Sequence, residues 1–255
     1  MKALCWYRVA AKWFSFFIFG AGTLILVTAF FPFMRLLLHP RRRFQKSARL
    51  LVSLSFRFFV GIMTALRIVE LRPGDRLAYR KLGGKIAAAN HPSLLDVVML
   101  ISLIPNADCI VRGSLTRTIM RGIIRQLYIP NSGNAETLIA DCVASIKEGN
   151  CIIIFPEGTR TPRGGKQAFK KGAVRIALAA GCPIVPVRIG GTDKFGLGKK
   201  DPWTGFSPAE KYVYRLEILD ELESEAWAGM NTALAARRWN KALYRALFPA
   251  GDTII

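Results

Sequence analysis

Four short stretches hold the residue types that could do chemistry. In Asn90-His91-Pro92-Ser93-Leu94-Leu95-Asp96 a histidine stands five residues before an aspartate. Phe155-Pro156-Glu157-Gly158-Thr159-Arg160 gathers a carboxylate, a glycine turn, a hydroxyl and a guanidinium behind an apolar run. Arg112-Gly113-Ser114-Leu115 lies between these two, and Pro183-Ile184-Val185-Pro186-Val187 follows them. A neutral imidazole can take a proton from a hydroxyl near pH 7, and a neighbouring carboxylate can fix its tautomer and stabilise the imidazolium that forms. Along one continuous helix, five residues turn through about 500°, which leaves the two side chains about 140° apart. His91 and Asp96 can therefore meet only if His91 stands in a turn ahead of the helix, an arrangement that Asn90-His91-Pro92 permits. The same residues also fit plainer roles. Ser93-x-x-Asp96 matches a capping box, and a histidine before proline can be an ordinary turn residue.

In the second stretch, Gly158 and Thr159 offer backbone N–H and hydroxyl donors, and Arg160 offers a planar fork suited to phosphate. Arg163, Lys166, Lys170 and Lys171 extend the positive field, and Arg112, Lys170 and Lys171 are further candidates to bind substrate. A solvated basic loop built on a β-turn would carry similar residues.

These stretches must be positioned by the rest of a 255-residue chain that is 51% apolar, enough for one sizeable core or for a domain plus a membrane element. A net charge of +20 calls for an anionic partner: nucleic acid, acidic lipid headgroups or a phosphorylated substrate. No Asp or Glu precedes Glu70, whereas eleven Lys or Arg do, and they flank apolar runs. That distribution suits an anionic bilayer surface, and with no nucleic-acid-binding motif present, nucleic acid is not an expected partner. The five cysteines are scattered and show no zinc spacing, which fits buried, reduced thiols in a cytosol-facing protein. With only two histidines, His39 and His91, no metal site is expected.

Residues 1–70 read as a membrane-anchoring segment and residues 71–255 as an α/β domain. The 22 residues from Trp13 to Met34 are uncharged, long enough to cross a hydrocarbon core as a helix. Leu50–Leu66 is apolar but interrupted by Arg57, and has an interfacial character. A single span and a helical pair dipping into one leaflet both fit; a core helix of a soluble protein is the alternative. Basic residues on both flanks give no orientation. Beyond Pro73-Gly74, strands are expected at Lys85–Ala89, Cys109–Val111, Cys151–Phe155, Ile184–Ile189 and Tyr212–Ile218. Helices are expected at Leu94–Ile104, Thr116–Gln126, Ala135–Lys147, Lys170–Ala180 and Trp227–Leu247. Such alternation argues a mostly parallel central sheet flanked by helices, with His91 at the carboxyl end of a strand, where open α/β sheets bind ligands.

Taken together and in order, the four stretches resemble those of the 1-acylglycerol-3-phosphate acyltransferase family. Asn90-His91 with Asp96, Phe155–Arg160 and Pro183–Val187 match its first, third and fourth blocks. The resemblance implies an acyltransferase domain in which His91 is the general base, oriented by Asp96. The acceptor hydroxyl of a lysolipid would attack the thioester of acyl-CoA or acyl-carrier protein, with no cofactor or metal. It further implies that Glu157, Gly158 and Arg160 bind the acceptor near its phosphate, and that the fourth block shapes the apolar surface near the acyl chain. The second block departs from the pattern: the phosphate-binding arginine expected there falls at about Asn131, with Arg121 and Arg125 as possible substitutes. An acceptor with another headgroup, such as a lyso-ornithine or other acyl-amino lipid, is therefore a second expectation. A non-catalytic membrane-binding protein and an acyl-thioester hydrolase are competing functions. A bacterial inner membrane, with the site facing the cytoplasm, is the expected location.

Overall fold

The apolar runs assemble into a seven-stranded sheet in the computed structural model, which describes residues 2–112, 128–131, 133–162, 165, 168–207, 210–227 and 229–249. The expected helix Thr116–Gln126, together with Arg121, Arg125, Arg163 and Lys166, lies outside the described residues. The strands are β1 (Val69–Arg72), β2 (Ile86–Ala89), β3 (Ala107–Arg112), β4 (Ile129–Asn131), β5 (Cys151–Ile154), β6 (Ile184–Gly191) and β7 (Tyr212–Ile218). Their order is β1-β7-β6-β2-β5-β3-β4, parallel throughout except between β6 and β7. That antiparallel pair needs no crossover helix, and the chain between its strands is free to form a loop.

The described helices are α1 (Lys2–Ile25), continued through a π turn at Leu26–Phe30 into α2 (Phe31–Leu37), then α3 (Arg41–Ala65), α4 (Arg76–Arg80) and α5 (Asp96–Leu103). After these come α6 (Ala135–Lys147), α7 (Gly172–Ala180) and α8 (Thr232–Leu247). A short 3₁₀ turn at Glu225–Trp227 stands apart from α8, so the helix expected from Trp227 begins later, where Asn231 caps it by accepting from Ala233 N–H.

β2 and β5 sit in the middle of the sheet and every residue in them is buried. Buried on both faces, they read in sequence as unbroken apolar runs. Their alternation still shows in space. Ala87, Ala89 and Ile153 join one core with Met63 of α3 and Met99 of α5. Ile86, Ala88, Ile152 and Ile154 join a second core with Cys142 of α6, Ile176 of α7 and Trp239 of α8. Cys109, Cys142, Cys151 and Cys182 are buried free thiols, and burial pushes the first three up to about 12.

Two strands that periodicity did not flag are both at the sheet's edges. β1 carries two charges in four residues, and β4 contains Pro130, which an edge tolerates because one side needs no ladder donor. β1 also straddles the boundary drawn at residue 70, and the first core is continuous from Phe44 of α3 to Leu216 of β7.

The N-terminal helices form an antiparallel pair: Phe19 packs on Phe56 and Phe59, and Phe31 on Phe44. α3 then docks on the sheet layer through polar contacts as well as apolar ones. Ser53 Oγ donates to Ile101 O at 2.7 Å, and Arg57, the residue that interrupts the apolar run, donates to Ser102 O at 3.3 Å. Arg49 grips Asp108 with both Nε and Nη2, at 2.6 and 3.0 Å, and the Ser145 hydroxyl donates to the same carboxylate.

Burial pushes the Asp108 carboxyl up, and the Arg49 guanidinium and the Ser145 hydroxyl only partly counter it. Such a pair orients elements more than it stabilises them, and removing one partner is far costlier than removing both. Arg49→Ala should cost about 3–5 kcal/mol by denaturant unfolding in detergent, whereas Arg49→Met combined with Asp108→Leu should unfold close to the wild type.

Candidate functional site

β2 ends at Ala89, and residues 90–95 leave the sheet before α5 starts at Asp96, two residues later than periodicity suggests. His91 therefore stands off the helix, as a contact with Asp96 requires. The turn is held on three sides. Asn90 makes a reciprocal pair with β6, its Nδ2 donating to Ile189 O at 2.8 Å and its Oδ1 accepting from Ile189 N at 2.7 Å. Thr161 N–H donates to His91 O at 2.9 Å, and Leu94 N–H donates to Leu197 O at 3.0 Å.

Asp96 is wholly buried, and its Oδ2 accepts from His91 Nδ1 at 2.8 Å and from Ser93 N–H at 2.7 Å. Its Oδ1 accepts from Ser93 Oγ at 2.5 Å. The capping arrangement and the histidine contact thus coexist. The residue at the cap position is Leu95, however, and the Ser93 hydroxyl donates to the carboxylate while its oxygen accepts from Leu95 N–H at 3.2 Å. Because a carboxylate only accepts, Nδ1 carries the proton and Nε2 keeps the lone pair. The imidazole stacks on Phe155 with centroids 4.0 Å apart and planes 22° apart, and its side chain is 16% exposed. Such a group can take a proton from a hydroxyl brought to Nε2.

The Pro-Glu-Gly-Thr-Arg turn packs against the same loop. Glu157 is buried, and its Oε1 accepts the main-chain N–H of His91 at 3.0 Å, while Oε2 is buried without a partner. Burial pushes its carboxyl up to about 7; the His91 N–H lowers it and Asp96 raises it. Gly158 has φ +70°, and a Cβ there would lie 2.7 Å from the Lys170 side chain, so glycine satisfies both the turn and the close approach. Thr159 is half-buried beside it. Arg160 Nη1 donates to Leu197 O at 2.9 Å and Gly198 O at 3.1 Å, which ties the turn to the loop after β6.

Of the residues singled out in the sequence, His91, Asp96, Glu157, Gly158, Thr159, Arg160 and Lys170 come together, the last also through its N–H on Pro156 O at 2.7 Å. Lys171 lies exposed at the start of α7. Arg112 ends β3, paired in register with Asn131 of β4, and its side chain lies outside the described residues. Asn131 uses its own Oδ1 to accept from Gly133 N–H at 3.2 Å.

Residues that sequence reasoning missed include Asn90 as the link to β6, Ser93 as a ligand of the carboxylate, and Tyr214 and Lys194. Tyr214 lies 121 positions from Ser93 yet its hydroxyl is 2.8 Å from Ser93 Oγ. No local pattern could announce that contact. Among the described residues, no cluster of three or more His, Cys, Asp or Glu side chains could hold a metal ion.

The sequence profile of the acyltransferase family matches residues 75–190, the stretch holding the His91 turn, the Glu157 turn and β6. This part of the chain is similar in sequence to the acyltransferase family. Relatives include the 1-acyl-sn-glycerol-3-phosphate acyltransferase of Cocos nucifera, 33% identical over 117 residues, covering 42% of this chain and 37% of that one. The enzyme of the same name from Salmonella typhimurium is 33% identical over 135 residues, covering 50% and 54%. The matches thus span between 37% and 54% of these two curated relatives. The crystal structure of the 1-acyl-sn-glycerophosphate (LPA) acyltransferase PlsC from Thermotoga maritima superposes with a TM-score of 0.68 at 19% identity, over 93% of this chain and 95% of that one. The acyltransferase fold is therefore shared across nearly the whole chain.

Within this site, burial of the Glu157 carboxyl bears on stability. Its folded carboxyl titrates near 7, above the ordinary 4.5, so the folded state holds a proton that the unfolded state has released. Stability should therefore fall as pH rises from about 4.5 to 7 and level off beyond. Glu157→Gln, which can still accept from His91 N–H, should abolish that slope in melting temperature, and Glu157→Ala should lower stability at every pH.

Proposed function

We propose that this chain is a membrane-associated acyltransferase that moves a fatty acyl group from a thioester, acyl-CoA or acyl-carrier protein, to a lysolipid hydroxyl. The observation that carries it is the 2.8 Å contact between His91 Nδ1 and a wholly buried Asp96, which leaves Nε2 as the base. The relatives from Cocos nucifera and Salmonella typhimurium are both named 1-acyl-sn-glycerol-3-phosphate acyltransferases, which supports a lysophosphatidic-acid-like acceptor.

In this reading His91 Nε2 takes the proton of the acceptor hydroxyl as its oxygen attacks the thioester carbonyl. The tetrahedral intermediate collapses with loss of the thiolate, which receives the proton back from the imidazolium. One C–O bond forms, one C–S bond breaks, and the dyad returns to its starting state. Asp96 stabilises the transient imidazolium without becoming protonated. Glu157 fixes the main chain of His91, and the cationic Arg160 and Lys170 beside it favour an acceptor that carries a phosphate.

Supporting a site at a bilayer, two helical stretches, Ala3–Leu37 and Arg41–Ala65, are long and apolar enough to cross a membrane. Phe14, Phe17, Phe33 and Phe58 stand exposed on them, and Trp13 packs at a tilt against exposed Trp203, with ring centroids 5.8 Å apart. Aromatic residues at such a surface suit a membrane interface, and Arg41, Arg42 and Arg43 suit anionic headgroups. The bacterial inner membrane, with the site facing the cytoplasm, is the location this reading favours.

One observation supports a second acceptor class. Asn131 stands where the family resemblance expects a phosphate-binding arginine, and its side chain is turned to Gly133. A headgroup other than a bare phosphate, such as that of a lyso-ornithine lipid, would suit that change.

Purified protein in detergent, given labelled acyl-CoA or acyl-carrier protein and a panel of lysolipids, should form diacyl product, and His91→Ala should lower the rate at least about a hundredfold. Free fatty acid as the sole product would indicate thioester hydrolysis, and unaltered transfer by a folded His91→Ala would defeat the mechanism. Phe17→Glu with Phe33→Glu should weaken co-sedimentation with phosphatidylglycerol vesicles at least about tenfold, since each buried aromatic contributes about 1.5–3 kcal/mol.

A further inference from the structure

Acyl transfer by His91 gives no task to two buried polar residues beside the dyad. Tyr214, on β7, is wholly buried, and its hydroxyl lies 2.8 Å from Ser93 Oγ. Ser93 owns a single hydroxyl hydrogen. The Asp96 carboxylate only accepts, so that hydrogen goes to Asp96 Oδ1, and Tyr214 must be the donor to Ser93. The result is a directed chain: Tyr214 donates to Ser93, Ser93 donates to Asp96, and His91 donates to the same carboxylate.

Lys194, in the loop after β6, lies against this chain. It is 5% exposed, its Nζ is 4.7 Å from the centroid of the Tyr214 ring, and it donates to Val213 O at 2.9 Å and to Thr192 O. Both hydrogen-bond partners are neutral carbonyls, which is a costly way to bury an ammonium. Its charged neighbours come from three directions: Asp96 on α5, Asp193 in its own loop, and Glu210 on the approach to β7. Burial pushes Lys194 down to about 8, and Asp96 leads the opposing influences, so at neutral pH the side chain is still mostly a cation.

We propose that Lys194 and Tyr214 are positioning residues of the dyad: Lys194 supplies a buried positive field that keeps Asp96 a carboxylate and disfavours the imidazolium, while Tyr214, through Ser93, holds that carboxylate in line with His91. A cation at short range in a poorly screened interior acts on both members of the pair. It favours the charged form of Asp96 and the neutral form of His91, which is the form that can act as a base. Tyr214 acts in the same sense, because each donor to the carboxylate chain makes Asp96 less basic and its hold on an imidazolium weaker. Among the described residues, His91 touches Asp96, Glu157 through its main-chain N–H, and the neutral ring of Phe155. In the adjoining turn the charged side chains are Arg160, held by the Leu197 and Gly198 carbonyls, and Lys170 beside Gly158.

The proposal rests on the acyl-transfer reading for its kinetic consequence only, and its decisive test needs no turnover. The chain has two histidines, so in a His39→Gln background the full-length protein in detergent gives one imidazole NMR signal, that of His91. Lys194→Met should raise the midpoint of its titration by about one pH unit, Lys194→Arg should keep the parent value, and Tyr214→Phe should raise it by about half a unit. The acid limb of kcat/KM should move by the same amounts. If Lys194→Met fails to give a folded amide spectrum, Tyr214→Phe, which loses a single oxygen, decides alone. An unchanged midpoint in the folded variants overturns the proposal, because a merely structural lysine would alter stability and leave the imidazole where it was. Absence of acyl transfer by the parent protein to every lysolipid would instead defeat the acyl-transfer reading and leave the NMR result standing.

Discussion

A carboxylate sealed from water must have its lone pairs filled, and at Asp96 that requirement organises the centre of the molecule. The cost of burying an unsatisfied charge is far larger than the net stability of a domain. Asp96 therefore has to collect donors: His91 Nδ1, Ser93 N–H and Ser93 Oγ all converge on it. Meeting those donors keeps residues 90–94 ahead of the helix, and α5 begins at Asp96 itself. The same contacts choose the histidine tautomer, so the structural demand and the chemical one are met by one set of hydrogen bonds.

The turn around Asp96 is fixed from outside by other elements. β6 holds Asn90, the turn after β5 holds the main chain of His91 through Glu157, and the loop after β6 holds Leu94 and Arg160 through Leu197 O. That loop is itself closely drawn. Gly196 has φ +88°, and a Cβ there would sit 1.8 Å from Gly205 O. Lys12 of α1 donates to the same Gly205 carbonyl at 2.6 Å, and Arg8 donates to Ser207 O at 3.0 Å. The N-terminal helices are thus joined to the histidine turn through one loop, and to the sheet through Arg49 and Asp108. In the proposed reading, this linkage would tie the helices that meet the bilayer to the turn that carries His91.

Much of this was legible in the chain. Central strands buried on both faces leave unbroken apolar runs, so β2, β5 and β6 could be placed to within a residue or two. The edge strands β1 and β4 could not, since a strand with one solvated side needs no apolar run and tolerates charge or proline. The His91 and Asp96 pair was legible as a spacing, with its meeting conditional on a turn. Glu157 and Arg160 were legible as members of a polar turn, though their contacts with His91 N–H and with the Leu197 and Gly198 carbonyls were not.

What the sequence determined by itself is what local chemistry and periodicity encode: a mostly parallel sheet flanked by helices, an apolar and basic N-terminal segment, and the residue types of a histidine, a carboxylate and a cationic turn. What only the tertiary structure decided is which of those groups answer one another. Ser93 could have capped a helix and instead serves the carboxylate, and Tyr214 and Lys194 come beside it from about a hundred positions or more along the chain. The reason is physical. Hydrogen-bond partners of a buried charge are selected by packing across the sheet, and no spacing along the chain records which strand will lie beside which.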